Sequence, residues 1–342
     1  MVGGAGRHAL DRQPVRRNGG YPRARSTARS TRCEVAWGAA SCHDRFTDSH
    51  NWQTIMPYRS IYRPGLFSGQ TIIVTGGGSG IGRCTAHELA SLGAHVALVG
   101  RDPAKLRAVL EEIAAEECRA SAHECDIRDD AAVIAVVEAV LAAHGRIDGL
   151  VNNAGGQYYG PMKDFSTKGF DAVVRTNLTG GFIFMREVYA RWMERHGGAI
   201  VNMIAAVGNG LPGYAHSGAA RSGMLNLTET AAVEWAPSGV RVNAVAPGLI
   251  ASSGFDNYSD EGAAAIRARI LGIPLQRYGD VAEISAAITY LLSPAAAYVT
   301  GTCLRVDGGA TNAPAGYRIA PHDRSKPYEG FHLPSLPAML EK

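Results

Sequence analysis

The sequence predicts a single-domain α/β fold, a doubly wound parallel sheet of about seven strands, on three observations. From Gly69 onward, short apolar runs alternate with helical stretches. The runs are apolar throughout rather than at every second position, which marks strands covered on both faces. The connections are too short to house a second domain, and no internal repeat interrupts the alternation.

The elements follow in order. Thr71–Thr75 (TIIVT) reads as a buried strand, followed by a glycine loop and a helix around Gly82–Leu92. Ala94–Val99 is the second strand and Pro103–Glu117 an amphipathic helix. Ala120–Cys125 and Ala131–His144 form the third strand and helix, and Gly149–Asn152 starts the fourth unit. A long helical stretch runs around Phe170–His196, followed by a strand at Ala199–Met203. Gly218–Trp235, Val240–Val245, Glu283–Leu292 and Cys303–Val306 complete the series as helix, strand, helix, strand. Helices 170–196 and 218–235 carry more apolar side chains than one buried face needs, which suits a subunit interface.

Composition narrows the class. Of 342 residues, 46% are hydrophobic and 19% charged, as in a globular protein with a sizeable core. A net charge of +3 argues for neither nucleic acid nor membrane as partner. The six cysteines lack CxxC or zinc-finger spacing, so neither a disulfide frame nor a metal site is expected. Residues 1–55 hold nine arginines, no lysine and four acids, without periodicity, and read as disordered. They are either a transit peptide or an extension upstream of a true start at Met56; the absence of an amphipathic helix favours the second. The ordered domain is expected at 56–311, and 312–342 reads as a polar tail.

Thr75–Gly82 (TGGGSGIG) follows a strand and opens a helix, the context a dinucleotide loop requires. Gly76, Gly78, Ser79, Gly80, Ile81 and Gly82 bring backbone close to a pyrophosphate at a helix N-terminus. Arg101 ends the second strand, where an acid would bind a ribose 2′-hydroxyl and a base suits a 2′-phosphate. Its guanidinium therefore favours NADP(H) over NAD(H), the alternative being a solvated strand end. Asp126 either accepts from the adenine amino group or caps a helix, with Ile127 beside it.

These residues resemble the short-chain dehydrogenase/reductase family over roughly 66–311, through TGGGSGIG (75–82), NNAG (152–155), TNLTG (176–180), APG (246–248) and DGG (307–309). The resemblance implies a one-domain Rossmann fold, hydride transfer with a nicotinamide cofactor, and dimers or tetramers. It also assigns Asn153, Ala154, Gly155, Pro247, Gly248 and Ile250 to the cofactor, and Asn177 to catalysis. The family's Tyr and Lys, four residues apart, are here Ser217 and Arg221, and its Ser is Ala205. Tyr214 does not restore the motif, because Gly218 lies four residues on.

That change bears on chemistry. Carbonyl reduction needs an acid for the developing alkoxide, and serine is far weaker than a tuned phenol. Reduction of a conjugated thioester alkene instead needs hydrogen-bond donors for an enolate oxygen. NNAGGQ (152–157), 166–180, HSGAARSG (216–223), 232–239 and RSIYRPGLFSG (59–69) are similar to the peroxisomal trans-2-enoyl-CoA reductases. This implies NADPH-dependent reduction of a 2-enoyl-CoA to acyl-CoA. Carbonyl or dienoyl-CoA reduction and a catalytically inactive NADP(H)-binding protein are the alternatives. The chain ends Leu340–Glu341–Lys342 without an SKL-type address, so a cytoplasmic location is expected.

Single residues keep two readings each. Ser217 donates to the substrate oxygen or caps its helix. Arg221 holds the cofactor ribose or sits on a plain helix face. His216 supplies a proton or is structural. Tyr158, with Tyr159, is a pocket wall or an acid. Residues 248–273 are the expected substrate lid.

Overall fold

The computed structural model describes residues 57–337, apart from 209, 258, 259 and 315, together with Leu340. The expectations for residues 1–55 and for a start at Met56 lie outside the described residues.

Strands β1 (Thr71–Thr75), β2 (His95–Gly100), β3 (Arg119–Glu124), β4 (Gly149–Asn152), β5 (Gly198–Met203) and β6 (Val240–Pro247) appear where the apolar runs predict them. Two short strands follow, β7 (Ile250–Ala251) and β8 (Gly279–Asp280), which pair with each other; β9 (Cys303–Val306) completes the main sheet. Its order is β3-β2-β1-β4-β5-β6-β9, and every pairing is parallel. The order reverses between β1 and β4, so the loops leaving those strands diverge and open a crevice.

Side chains on successive strand positions serve two separate cores. Ile72, Val74, Val96, Leu98, Val151 and Val201 join the core on one face. Ile73, Ala97, Val99, Leu150, Ile200 and Val242 join the other. This two-residue alternation between faces is why the runs read as apolar throughout.

Helices α1 (Gly80–Ser91), α2 (Pro103–Ala115) and α9 (Val281–Leu292) cover the first face. Helix α3 (Asp130–His144) and the segment 167–196 cover the second, with α7 (Ala215–Glu234) beside them. Asp102 and Asp129 cap α2 and α3, and an Asp280–Glu283 capping box starts α9. The helix expected at 170–196 is α4 (Thr167–Val174), α5 (Gly180–Val188) and α6 (Glu194–His196), joined by π-turns at Arg175–Thr179 and Tyr189–Met193. Helix α8 (Asp260–Arg269) lies in the expected lid segment. Among the described residues, no helix is long and apolar enough to cross a membrane.

The segment after 312 has little regular structure, yet it packs back on the domain. Arg277 donates to Ser325 Oγ at 3.0 Å, and Tyr328 N donates to Glu283 Oε1 at 3.3 Å. Phe331 is buried, and Arg83 donates to Leu333 O at 3.1 Å. Polar contacts and isolated aromatic anchors leave no periodic trace in sequence, which is why the tail reads as unstructured.

At the start of β2, His95 packs at a tilt against His144, with ring centroids 3.7 Å apart. Burial, with the nearby His144, Arg119 and His123, pulls the His95 pKa down to about 4. The folded state therefore refuses a proton that the unfolded chain accepts near pH 6.5. Stability should be fully present above that value and fall as pH drops towards 4. His95→Gln should flatten this decline, measured by urea unfolding across the same pH range. An unchanged slope would assign the acid sensitivity to other groups.

Candidate active site

The glycine loop is closed by contacts that leave no room for side chains. Gly76 has a φ of +67° and donates its N–H to Val99 O at 2.7 Å. A Cβ on Gly82 would lie 2.2 Å from Gly76 O and 2.5 Å from Asn153 Nδ2. Asn153 accounts for that crowding, since its Nδ2 donates to Thr75 O at 3.0 Å and Gly76 O at 3.3 Å. Thr75 Oγ1 accepts from the N–H groups of Asn153 and Ala154, each at 3.0 Å. Asn153 thus ties the loop after β1 to the loop after β4 and braces the cradle. Ser79 starts α1 without a side-chain cap, leaving the first-turn N–H groups to an anion.

A cavity of about 170 Å³ opens beside this loop, lined in part by Gly76, Gly78, Ser79, Arg101, Asp126 and Ile127. Ala154 and Gly155 line it too. Sequence reading missed Lys105, Arg128 and Thr176, which share its wall. Lys105 lies in the first turn of α2 and packs against the loop at Gly78, where a Cβ would meet Lys105 Cβ at 3.1 Å. Asp126 does not cap a helix, because Asp129 does. Its carboxylate instead accepts from the Arg128 guanidinium, which holds it down to about pKa 2. Arg101, Lys105 and Arg128 face two acids, Asp102 and Asp126, so the rim keeps a positive excess.

Asn177, Ser217 and Arg221 do converge. The π-turn at Arg175–Thr179 carries Asn177, which is buried. Its Oδ1 accepts from Gly156 N at 2.9 Å, and its Nδ2 donates to Gly156 O at 2.9 Å. The same Nδ2 lies 3.4 Å from Ser217 Oγ. Arg221 donates to Met203 O, and its guanidinium lies so close to Gly155 that a Cβ there would be 2.3 Å from Nη2. Burial pulls the Arg221 pKa down to about 10, so it stays cationic at neutral pH.

A buried amide chain sets this convergence. Asn152 Nδ2 donates to Gly181 O and Asn202 Oδ1, and Asn202 Nδ2 donates to Thr228 Oγ1 at 2.9 Å. It links β4 and β5 to α5 and α7, the helices beside Asn177 and beneath Arg221.

The structure bears on three of the paired readings. Ser217 is not an N-cap: α7 begins at Ala215, and Ser217 lies inside it, fully enclosed. His216 is also enclosed; its Nδ1 accepts from Ser217 N at 2.7 Å, and its ring stacks on Phe165 at 4.4 Å. That arrangement supports the structural reading, with Nε2 buried and without a hydrogen-bond partner. Tyr158 stands edge-on to the same imidazole at 4.4 Å, with its hydroxyl against Gly169, where a Cβ would meet it at 2.4 Å. These contacts fit the wall reading.

A second cavity, of about 430 Å³, lies between the loops after β5 and β6 and the 248–273 segment. Gln157, Ala205, Tyr214, Pro247, Gly248 and Phe255 are among its lining residues. Tyr214 is the residue sequence reading set aside. Its spacing fails the Tyr/Lys motif, but it enters the cavity wall from the N-cap position of α7. Ile81 packs against the first core, and Ile250 is buried in β7.

Gly82→Ala should cost about 1–3 kcal/mol through overpacking against Gly76 O and abolish dinucleotide binding. Thermal unfolding and nicotinamide fluorescence would report the two effects; a variant that binds normally would contradict the cradle geometry.

Residues 76–311 match the profile of the family described as enoyl-(acyl carrier protein) reductase. A probable 2,4-dienoyl-CoA reductase of Bacillus subtilis is 36% identical over 243 residues, covering 70% of this chain and 96% of the relative. Levodione reductase of Leifsonia aquatica is 36% identical over 259 residues, covering 72% and 96%. Among solved structures, a citronellol catabolism dehydrogenase of Pseudomonas aeruginosa PAO1 is 55% identical with a TM-score of 0.68, covering 74% of this chain and all of that one. With the sheet order, the glycine cradle and the converged Asn177–Ser217–Arg221 group, these similarities make the chain an oxidoreductase of the short-chain dehydrogenase/reductase family.

Proposed function

We propose that the protein is an NADPH-dependent reductase of the C=C bond of a 2-enoyl-CoA. The observation that carries this reading is the convergence of Asn177, Ser217 and Arg221 into a group that contains no phenol. Serine and arginine stand where carbonyl reduction would want an acid and its tuning cation.

When bound, the dihydronicotinamide supplies hydride to the β-carbon of the enoyl thioester. Negative charge then builds on the thioester oxygen, and in this reading the fixed cation of Arg221 stabilises it, while Asn177, whose Nδ2 protons go to Gly156 O and Ser217 Oγ, holds Ser217 in place. One donor of this kind contributes about 10²–10³ in kcat. Tyr214, in the wall of the larger cavity, is the acid we assign to the α-carbon. The cradle and the first-turn N–H groups of α1 suit the pyrophosphate. Arg101, Lys105 and Arg128 suit a 2′-phosphate. The names of the dienoyl-CoA reductase relatives point to the same substrate class. A link to catabolism of citronellol, a branched unsaturated alcohol, accords with a branched acyl chain.

One observation favours a second reading. A phenol does reach the larger cavity, and levodione reductase is among the relatives, so Tyr214 would serve equally as the acid of a carbonyl reductase. Phe182 and Val233 expose apolar side chains on α5 and α7, which supports assembly into a homodimer or homotetramer.

NADPH oxidation with crotonyl-CoA and longer 2-enoyl-CoAs tests the first reading. Turnover of these thioesters is expected, and turnover of ketones or 3-oxoacyl thioesters alone would replace it with the second. Arg101→Ala should raise the NADPH dissociation constant about tenfold or more while leaving NADH unaffected, since an exposed charge-assisted phosphate contact contributes about 1.5–3 kcal/mol. Equal effects on both cofactors would remove the 2′-phosphate role. Tyr214→Phe should lower kcat at least about tenfold with little change in KM; wild-type kcat would leave protonation to water.

A further inference from the structure

We propose that His87, Glu116 and His332 form a binding site for a divalent transition metal of the zinc type, which staples the C-terminal tail to α1 and α2. The three residues come from α1, the end of α2 and the tail, far apart in sequence and remote from any recognisable metal spacing. One ligand atom from each lies within 4.8 Å of the others. The set is sheltered: the side chains of His87, Glu116 and His332 are 0%, 4% and 5% exposed.

The polar atoms are arranged in a way that hydrogen bonding alone does not complete. Glu116 Oε1 lies 2.8 Å from His87 Nδ1 and 3.0 Å from His332 Nε2. The His332 contact lacks hydrogen-bond geometry, and both its ring nitrogens are buried without a hydrogen-bond partner. Nδ1 has no polar neighbour recorded at all, and a buried ring nitrogen left so is rare in native proteins. His87 Nε2 lies 3.1 Å from Glu112 Oε2. In a neutral ring, an N–H donated there leaves Nδ1 as a lone pair facing a carboxylate oxygen, a repulsive contact that either a second ring proton or a cation between them relieves. A carboxylate orienting the far side of a metal-binding histidine is the usual outer partner.

Charge agrees. Arg83 is paired twice with Glu112, at 2.7 and 2.9 Å. With neutral histidines, Arg83, Glu112 and Glu116 sum to one negative charge. Two imidazoles and a carboxylate suit zinc at about 2.0–2.2 Å, with water as a fourth ligand. His87 and Glu116 need to part by about half an ångström to admit it. The ion would fix the tail next to the glycine loop, since Pro334, Ser335 and Leu336 share a small pocket with Gly80 and Ser252.

The untagged full-length protein, stripped with EDTA and then dialysed against zinc sulfate, tests this by metal analysis, with cobalt(II) absorption as a second reading. Wild type should retain stoichiometric zinc and show a tetrahedral cobalt spectrum. His332→Ala and Glu116→Gln should bind at least about a hundredfold more weakly, and Glu112→Gln about 10–100-fold more weakly. Circular dichroism would show that the His332 variant, altered only in the tail, keeps its fold. Substoichiometric zinc in wild type, or unchanged affinity in His332→Ala, would overturn the site and leave the cluster as a tail anchor without metal.

Discussion

The buried amide chain from Asn152 through Asn202 to Thr228 is the interaction on which the site depends. It runs through the centre of the sheet and fixes two helices at once. Losing one partner would leave a buried amide unsatisfied, at about 1–3 kcal/mol. The larger consequence is positional. Gly181 sits just past the π-turn that carries Asn177, and Thr228 lies two turns from Arg221 on α7. A small slip of either helix would separate Asn177 from Ser217 and draw Arg221 away from Gly155.

A second constraint acts at the cofactor end. Thr75 and Asn153 lash the loops after β1 and β4 together across the point where strand order reverses. The crevice that opens there is therefore rigid at its base, and its charged rim is supplied by the ends of β2, α2 and β3. Fold and site are coupled through backbone spacing: the glycines are needed because Asn153 and Gly76 already occupy the space a side chain would take.

Much of this was legible in sequence, and the exceptions have physical causes. Central strands buried on both faces leave unbroken apolar runs, and with the more exposed β3 and β9 all seven main-sheet strands were readable to within two residues or so. TGGGSGIG, Arg101, Asn177 and Arg221 were readable because loop chemistry and family spacing act locally. Ser217 was ambiguous because helix α7 starts three residues earlier than serine capping suggests, with His216 accepting the Ser217 N–H instead. Tyr214 was set aside because a four-residue spacing says nothing about which groups reach a cavity in three dimensions. Lys105 and Arg128 gain their place only when β2 and β3 pair. The tail was unreadable because it docks through scattered anchors, Tyr328, Phe331 and His332, with no period to detect.

The account stands on the claim that the substrate bond reduced is C=C. The most direct measurement uses NADPH deuterated at C4 of the nicotinamide on the transferring face, with a 2-enoyl-CoA and a 3-oxoacyl-CoA of equal chain length in competition. The account predicts saturated acyl-CoA carrying one deuterium at C3, seen by mass spectrometry, and little 3-hydroxyacyl-CoA. Label found only in the 3-hydroxy product would contradict it and assign the site to carbonyl reduction.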